Sequence, residues 1–186
     1  DIFPYKNGMP MPEGKCLERK GWIASPGWIE LQINGAFGVD FAEEPQRMWE
    51  IAARLPEFGF TSFLPTIVTS PPAVFQQAIE AWKSGPPTGW QGAIPLGLHF
   101  EGPFLNPKKK GAHNPQLLQP PNPNLVADWD AANGVRLVTL APELPGAYEL
   151  AQTLRERGIV LSIGHSFATY EEALTAFEQG FRYVTH

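Results

Sequence analysis

From Pro26 onward, near-continuous apolar, β-rich runs alternate with amphipathic segments of helical length, and this rhythm constrains the fold more than any other feature of the chain. The strand-like runs are WIELQING (Trp28 to Gly35), FTSFLPTIV (Phe60 to Val68), AIPLGLHFEG (Ala93 to Gly102), VRLVTLAPE (Val135 to Glu143), IVLSIGHS (Ile159 to Ser166) and FRYVTH (Phe181 to His186). Between them stand PQRMWEIAARLPEFG, PPAVFQQAIEAWKSG, NLVADWDAANG, LPGAYELAQTLRERG and SFATYEEALTAFEQG. Most carry apolar residues at i, i+3, i+4 and close on a glycine suited to a helix C-cap. In the last, Phe167, Tyr170, Leu174 and Phe177 share one helical face. Strands of this kind, each followed by a helix, predict an α/β fold with a helix-covered parallel sheet.

Six such strands suit either an open doubly wound sheet or part of a TIM-type (β/α)8 barrel. A whole barrel takes about 250 residues, so this chain would supply about six of its eight strands. The placement of polar residues favours the barrel. Gln32, Asn34, Thr66, Glu101, Glu143, His165 and His186 all fall at C-terminal strand ends, where a barrel builds its active site. An open sheet would gather them at one switch point. Residues 1–25, with the turn-rich KNGMPMPEGK, are expected to be the remnant of a small N-terminal β domain. Residues 26–186 then form the partial barrel. A start at Asp1 and a stop within a strand-like run predict a piece of a longer protein.

Composition narrows the partners. The 14 basic and 19 acidic residues give a net charge of −5, which argues against nucleic acid or an anionic membrane surface. No run approaches the ~18 apolar residues of a membrane span. The single cysteine, Cys16, excludes an internal disulfide framework, fits a reducing cytosol and reads as a small buried residue rather than a nucleophile.

Three residues combine strand-end position with metal-binding chemistry: Glu101, His165 and His186. Two imidazoles and one carboxylate suit Zn²⁺ with an open coordination position, and Fe²⁺ or Mn²⁺ nearly as well. Position alone leaves each open between a ligand and a hydrogen-bonded core or loop residue. Other chemistries lack their motifs. No phosphate-cradling glycine loop and no Gly-x-Ser-x-Gly elbow occurs. His165 and Ser166 are neighbours, which on a strand face opposite ways.

The segments PGWIELQINGAFGVDF, LHFEGPFLNPKKKGAH, LAPE, SIGHSFATYEEA and VTH, in this order, closely resemble the N-acetylglucosamine-6-phosphate deacetylases of the amidohydrolase superfamily. The resemblance runs from about Pro26 to His186. It implies that Glu101, His165 and His186 hold one divalent metal ion, zinc before iron or manganese. It also implies that Ala112, through its backbone, and His113 contact an amino-sugar phosphate. The implied reaction is hydrolysis of the acetamide of N-acetylglucosamine 6-phosphate to glucosamine 6-phosphate and acetate, by a cytoplasmic homo-oligomer (dimer or tetramer). Many amidohydrolases carry His-x-His at the end of the first strand. Gln32-Ile33-Asn34 stands there instead, which resembles the single-metal branch and leaves Gln32 and Asn34 to hydrogen bonding.

The family's catalytic aspartate lies beyond the residue matching His186, so these 186 residues alone are expected to be inactive. The competing reading is a non-catalytic relative that only binds metal or sugar phosphate. Lys108, Lys109 and Lys110 read as a solvated run before a phosphate trap. Glu143 reads as structural or as orienting its neighbours. His99 shares a strand face with Glu101 and is either a partner of the metal ligands or a packed core histidine.

Overall fold

The computed structural model describes residues 8–10, 13–14 and 19–186. Among these, no strand precedes Trp28; the rest of the expected N-terminal β remnant, Cys16 included, lies outside the described residues.

Strand β1 (Trp28–Ile33) is followed by a small antiparallel hairpin, β2 (Gly35–Ala36) with β3 (Val39–Asp40), that sequence periodicity did not reveal. Then come α1 (Met48–Arg54), β4 (Phe60–Val68) and α2 (Pro72–Lys83). The expected strand over Ala93 to Gly102 is split into β5 (Ile94–Pro95) and β6 (Leu98–Glu101), because Gly97 turns the backbone at φ +147°. The chain ends with β7 (Val135–Leu140), α3 (Ala147–Glu156), β8 (Val160–Ile163), α4 (Tyr170–Glu178) and β9 (Tyr183–Val184).

The main sheet runs β1-β4-β6-β7-β8-β9, every pair parallel, with β5 beside β4. Each strand lies beside its predecessor. That order has no reversal, so the doubly wound alternative, which requires a switch point, is not the fold. The sheet also curls. Neighbouring strands are about 4.8 Å apart, yet Glu101 at the end of β6 reaches His186, just beyond β9 and three strands away, at 3.3 Å. The result is a concave parallel half-barrel in a mixed α/β fold.

The two faces of the sheet divide cleanly. Phe63, Ile67, Phe100, Val138, Leu140, Leu161 and Ile163 point outward to one apolar core with Ile51 of α1, Phe75 and Ile79 of α2, and Leu150 and Leu154 of α3. Thr66, His99, Glu101, Thr139 and Ser162 alternate with them and line the concave side, all buried. Barrel interiors are usually layers of branched aliphatic residues; this concave face is polar toward the C-terminal ends of its strands.

One helical expectation fails. NLVADWDAANG is not an α-helix: a 3-10 turn (Pro123–Val126) leads into bends, and Asp130 Oδ1 accepts the Asn133 N–H at 2.7 Å. Asp and Asn side chains compete for backbone partners in this way. The apolar positions there anchor a loop instead, with Trp129 seated among Phe75, Phe100 and Phe104. In α4 a capping box of Thr169 and Glu172 starts the helix as its sequence suggests. Its stripe of Tyr170, Leu174 and Phe177 is nevertheless exposed, as is Phe167, and only Ala176 is buried.

Candidate metal centre

β6 delivers Glu101 as the last residue of a fully buried four-residue strand. The chain must leave sharply. Gly102 has φ +92°, and a Cβ there would sit 2.3 Å from Thr69 Oγ1, so only glycine fits; the Gly102–Pro103 peptide is cis. The carboxylate is 2 % exposed. Its Oε1 lies 3.1 Å from His165 Nε2 and 3.3 Å from His186 Nε2. Its Oε2 accepts the Gln32 amide at 2.9 Å, so each oxygen has a separate task. Among the described residues no lysine or arginine pairs with Glu101.

His165 follows β8 in the left-handed region, φ +49°, uncommon for a side chain of this size. The Asn106–Lys110 segment holds it there. Asn106 donates its N–H to the His165 carbonyl at 3.0 Å, and His165 Nδ1 donates to the Lys109 carbonyl at 2.9 Å. A carbonyl only accepts, so the Nε2 lone pair faces Glu101. Glu143 braces the same turn, accepting from Asn106 Nδ2 (2.9 Å), Ser166 Oγ (2.6 Å) and the Phe167 N–H (2.6 Å). Partial burial works to raise its carboxyl pKa, but the donors together outweigh it and the pKa falls below the ordinary range.

His113 is buried, not a solvated loop histidine. Its Nδ1 accepts the Thr69 N–H at 3.3 Å, which leaves the proton on Nε2, 3.2 Å from His165 Nε2 and 3.9 Å from Glu101 Oε2. Burial first, and the neighbouring His165 and His186, push its pKa down. Ala112 is exposed beside it. His99 is buried beneath Glu101 and hydrogen-bonded; burial lowers its pKa to about 4, so it is neutral. Asn34 meets Phe41 through its backbone. Two of the three loop lysines turn to the Phe167 ring, Lys108 at 5.8 Å and Lys109 at 5.0 Å. What matters in that run is the Lys109 carbonyl, which no side-chain motif announces.

Glu101, His165 and His186 thus offer ligand atoms within 4.8 Å of one another. Ligands about 2.0–2.2 Å from a tetrahedral zinc-like ion stand roughly 3.3–3.6 Å apart, close to the two carboxylate–imidazole separations of 3.1 and 3.3 Å. One buried anion facing imidazole nitrogens fits a divalent cation in charge and in spacing. A cleft of about 560 Å³ between α2 and the segment around Trp129 lies elsewhere, with Asp128 the one titratable residue in its lining.

No protein-family model matches the chain. The human N-acetylglucosamine-6-phosphate deacetylase is 42% identical over 176 residues, covering 89% of this chain and 42% of that protein. The crystal structure of the N-acetylglucosamine-6-phosphate deacetylase from Pasteurella multocida superposes with a TM-score of 0.76 at 36% identity, over 87% of this chain and 42% of the other. A mutant of the Mycobacterium smegmatis enzyme, solved in complex with N-acetyl-D-glucosamine-6-phosphate, gives 0.70 at 28% identity, over 84% and 41%. The chain therefore spans about two-fifths of the length of the relatives it matches.

Proposed function

Because the chain belongs to the N-acetylglucosamine-6-phosphate deacetylases, we propose that the whole protein hydrolyses the acetamide of N-acetylglucosamine 6-phosphate, giving glucosamine 6-phosphate and acetate. In this reading residues 26–186 are part of a closed (β/α)8 barrel, and Glu101, His165 and His186 hold one divalent ion, zinc in the first instance. The observation that carries it is the convergence of these three side chains, from three different strands, on one point of the concave face. The ion, when bound, supplies Lewis acidity toward the acetamide carbonyl and toward the attacking water.

The side chains of this chain do the rest of the positioning. Gln32 keeps Glu101 Oε2 occupied and leaves Oε1 for the ion. The Lys109 carbonyl fixes the His165 tautomer that leaves Nε2 free to ligate. His113 carries its proton on Nε2, the nitrogen facing the cluster. From there it donates to an oxygen of the substrate, and the Ala112 backbone contacts the sugar phosphate beside it. Among the described residues no aspartate joins the cluster, and the reading assigns the general base to an aspartate elsewhere in the longer protein.

Metal analysis of the complete protein tests this. About one ion per chain is expected, with acetate release abolished by chelator and restored by zinc. Less than about one-fifth of an ion per chain, with activity indifferent to chelator, overturns the reading. Glu101→Gln is expected to lose metal and activity together, since an amide is a poor substitute for a carboxylate ligand.

A further inference from the structure

Beneath the candidate metal centre, β1, β4, β6, β7 and β8 and the residue just past β9 each contribute one polar group to a connected network. Ser162 Oγ of β8 lies 2.7 Å from Thr185 Oγ1, just past β9, and Thr185 Oγ1 lies 2.7 Å from Thr139 Oγ1 of β7. Thr139 Oγ1 is 2.7 Å from His99 Nε2 of β6. His99 Nδ1 in turn is 3.2 Å from both the Leu31 carbonyl of β1 and Thr66 Oγ1 of β4. Thr66 Oγ1 donates to the Leu64 carbonyl and is free to accept.

One acceptor sets the direction of the whole chain. The Leu31 carbonyl can only accept, so His99 is protonated on Nδ1 and its Nε2 must accept from Thr139. With its hydroxyl proton so committed, Thr139 accepts from Thr185. Thr185, committed in its turn, accepts from Ser162. All the donors point the same way, from β8 toward β1, an arrangement in which successive bonds polarise one another. Room is kept for it: a Cβ on Gly164 would lie 2.4 Å from the Thr139 methyl and 3.0 Å from Thr185 Oγ1.

The member next to a metal-ligand candidate is Thr185, just past the end of the two-residue strand β9. The buried Phe181 and the Arg182 N–H, bonded to the Leu161 carbonyl, anchor its start; beyond them β9 makes two ladder pairs with β8, the Thr185 N–H adds one bond to the Ile163 carbonyl, and Tyr183 and Val184 are exposed. We propose that Thr185 is the positioning residue for His186, fixing the end of β9 through the one-way chain from Ser162 through Thr139 and His99 to Leu31. The proposal rests on reading Glu101, His165 and His186 as the metal site. It adds that the geometry of His186 is set by a hydroxyl that never touches ion or substrate.

The test is metal affinity in the complete protein, measured by titration with Co²⁺ alone and read from its ligand-field absorption. Thr185→Ser keeps the hydroxyl and should bind within about threefold of wild type. Thr185→Val keeps the shape and should bind about 10–100-fold more weakly, with altered absorption bands and an unfolding temperature of the metal-free protein close to that of wild type. A wild type that takes up ion beside a Thr185→Val that binds it equally well overturns the inference alone. A wild type that takes up none overturns the metal reading and the inference with it. Should Thr185→Val not fold, ¹⁵N shifts of the wild-type His99 ring decide: a proton on Nδ1 upholds the chain, and one on Nε2 overturns it.

Discussion

Glu143 shows how a charged residue serves the site without touching it. Its carboxylate accepts three hydrogen bonds that fasten the Asn106 loop to the turn after His165. Because its pKa is depressed in the fold, below 4.5, its contribution is fully present above the unfolded-state value and is lost as pH falls through the folded one. Glu143→Gln should therefore cost about 1–2 kcal/mol at neutral pH. The gap from wild type should close as solutions are acidified below about pH 4.5. Urea unfolding of both proteins at pH 7 and pH 4 checks this, and a gap that widens in acid contradicts it. At this scale the sequence was informative about which residues meet. Glu101, His165 and His186 were legible because carboxylates and imidazoles at strand ends are chemically conspicuous, and the family resemblance tied them together. The Lys109 carbonyl and the tautomers of His99 and His113 were not, because backbone acceptors carry no letter of their own.

Elements were legible where one periodicity dominated. The strands β4 and β7 match the apolar runs closely, since a strand buried on both faces is apolar throughout. Within the connection from Gly102 to Gly134, the stretch from Asn124 to Gly134 misled because apolar residues at helical spacing also serve to anchor an irregular loop. There the side chains of Asn114, Asn122 and Asp130 accept the backbone N–H groups of Gln116, Asn124 and Asn133, and the helix loses its partners. Trp129 then does for this connection what a helix face would have done. Its ring lies 4.7 Å from Phe100 and 5.1 Å from Phe75, centroid to centroid. Trp129→Ala should cost about 3–5 kcal/mol, measurable by chemical denaturation. A loss no larger than that for the exposed Leu125→Ala would show that the anchor is not needed.

At the scale of the whole molecule, strand order and curvature were foreshadowed by where polar residues fell, and the open edges by six strands standing where a closed barrel needs eight. Among the described residues each of β1 and β9 is paired on one side only, and Trp28, Ile29, Tyr183 and Val184 stand exposed along them. The open stripe on α4 extends the second of these surfaces. Unpaired strand edges with apolar side chains invite association. These 186 residues, expressed by themselves, should form soluble aggregates or bind a hydrophobic dye strongly. A monodisperse monomer by light scattering, with no dye binding, would be the contrary result.

The sequential strand order has a consequence for how the protein is made. Synthesis proceeds from the N-terminus, and here every new strand of the main sheet finds its neighbour already translated. The half-barrel can grow in step with the ribosome, each addition closing a loop of modest length. Glu101 is enclosed early in that growth, whereas His186 arrives with the sixth strand. On the proposed reading of the site, metal capture would therefore wait until the emerging chain has delivered the third of these three ligands, His186.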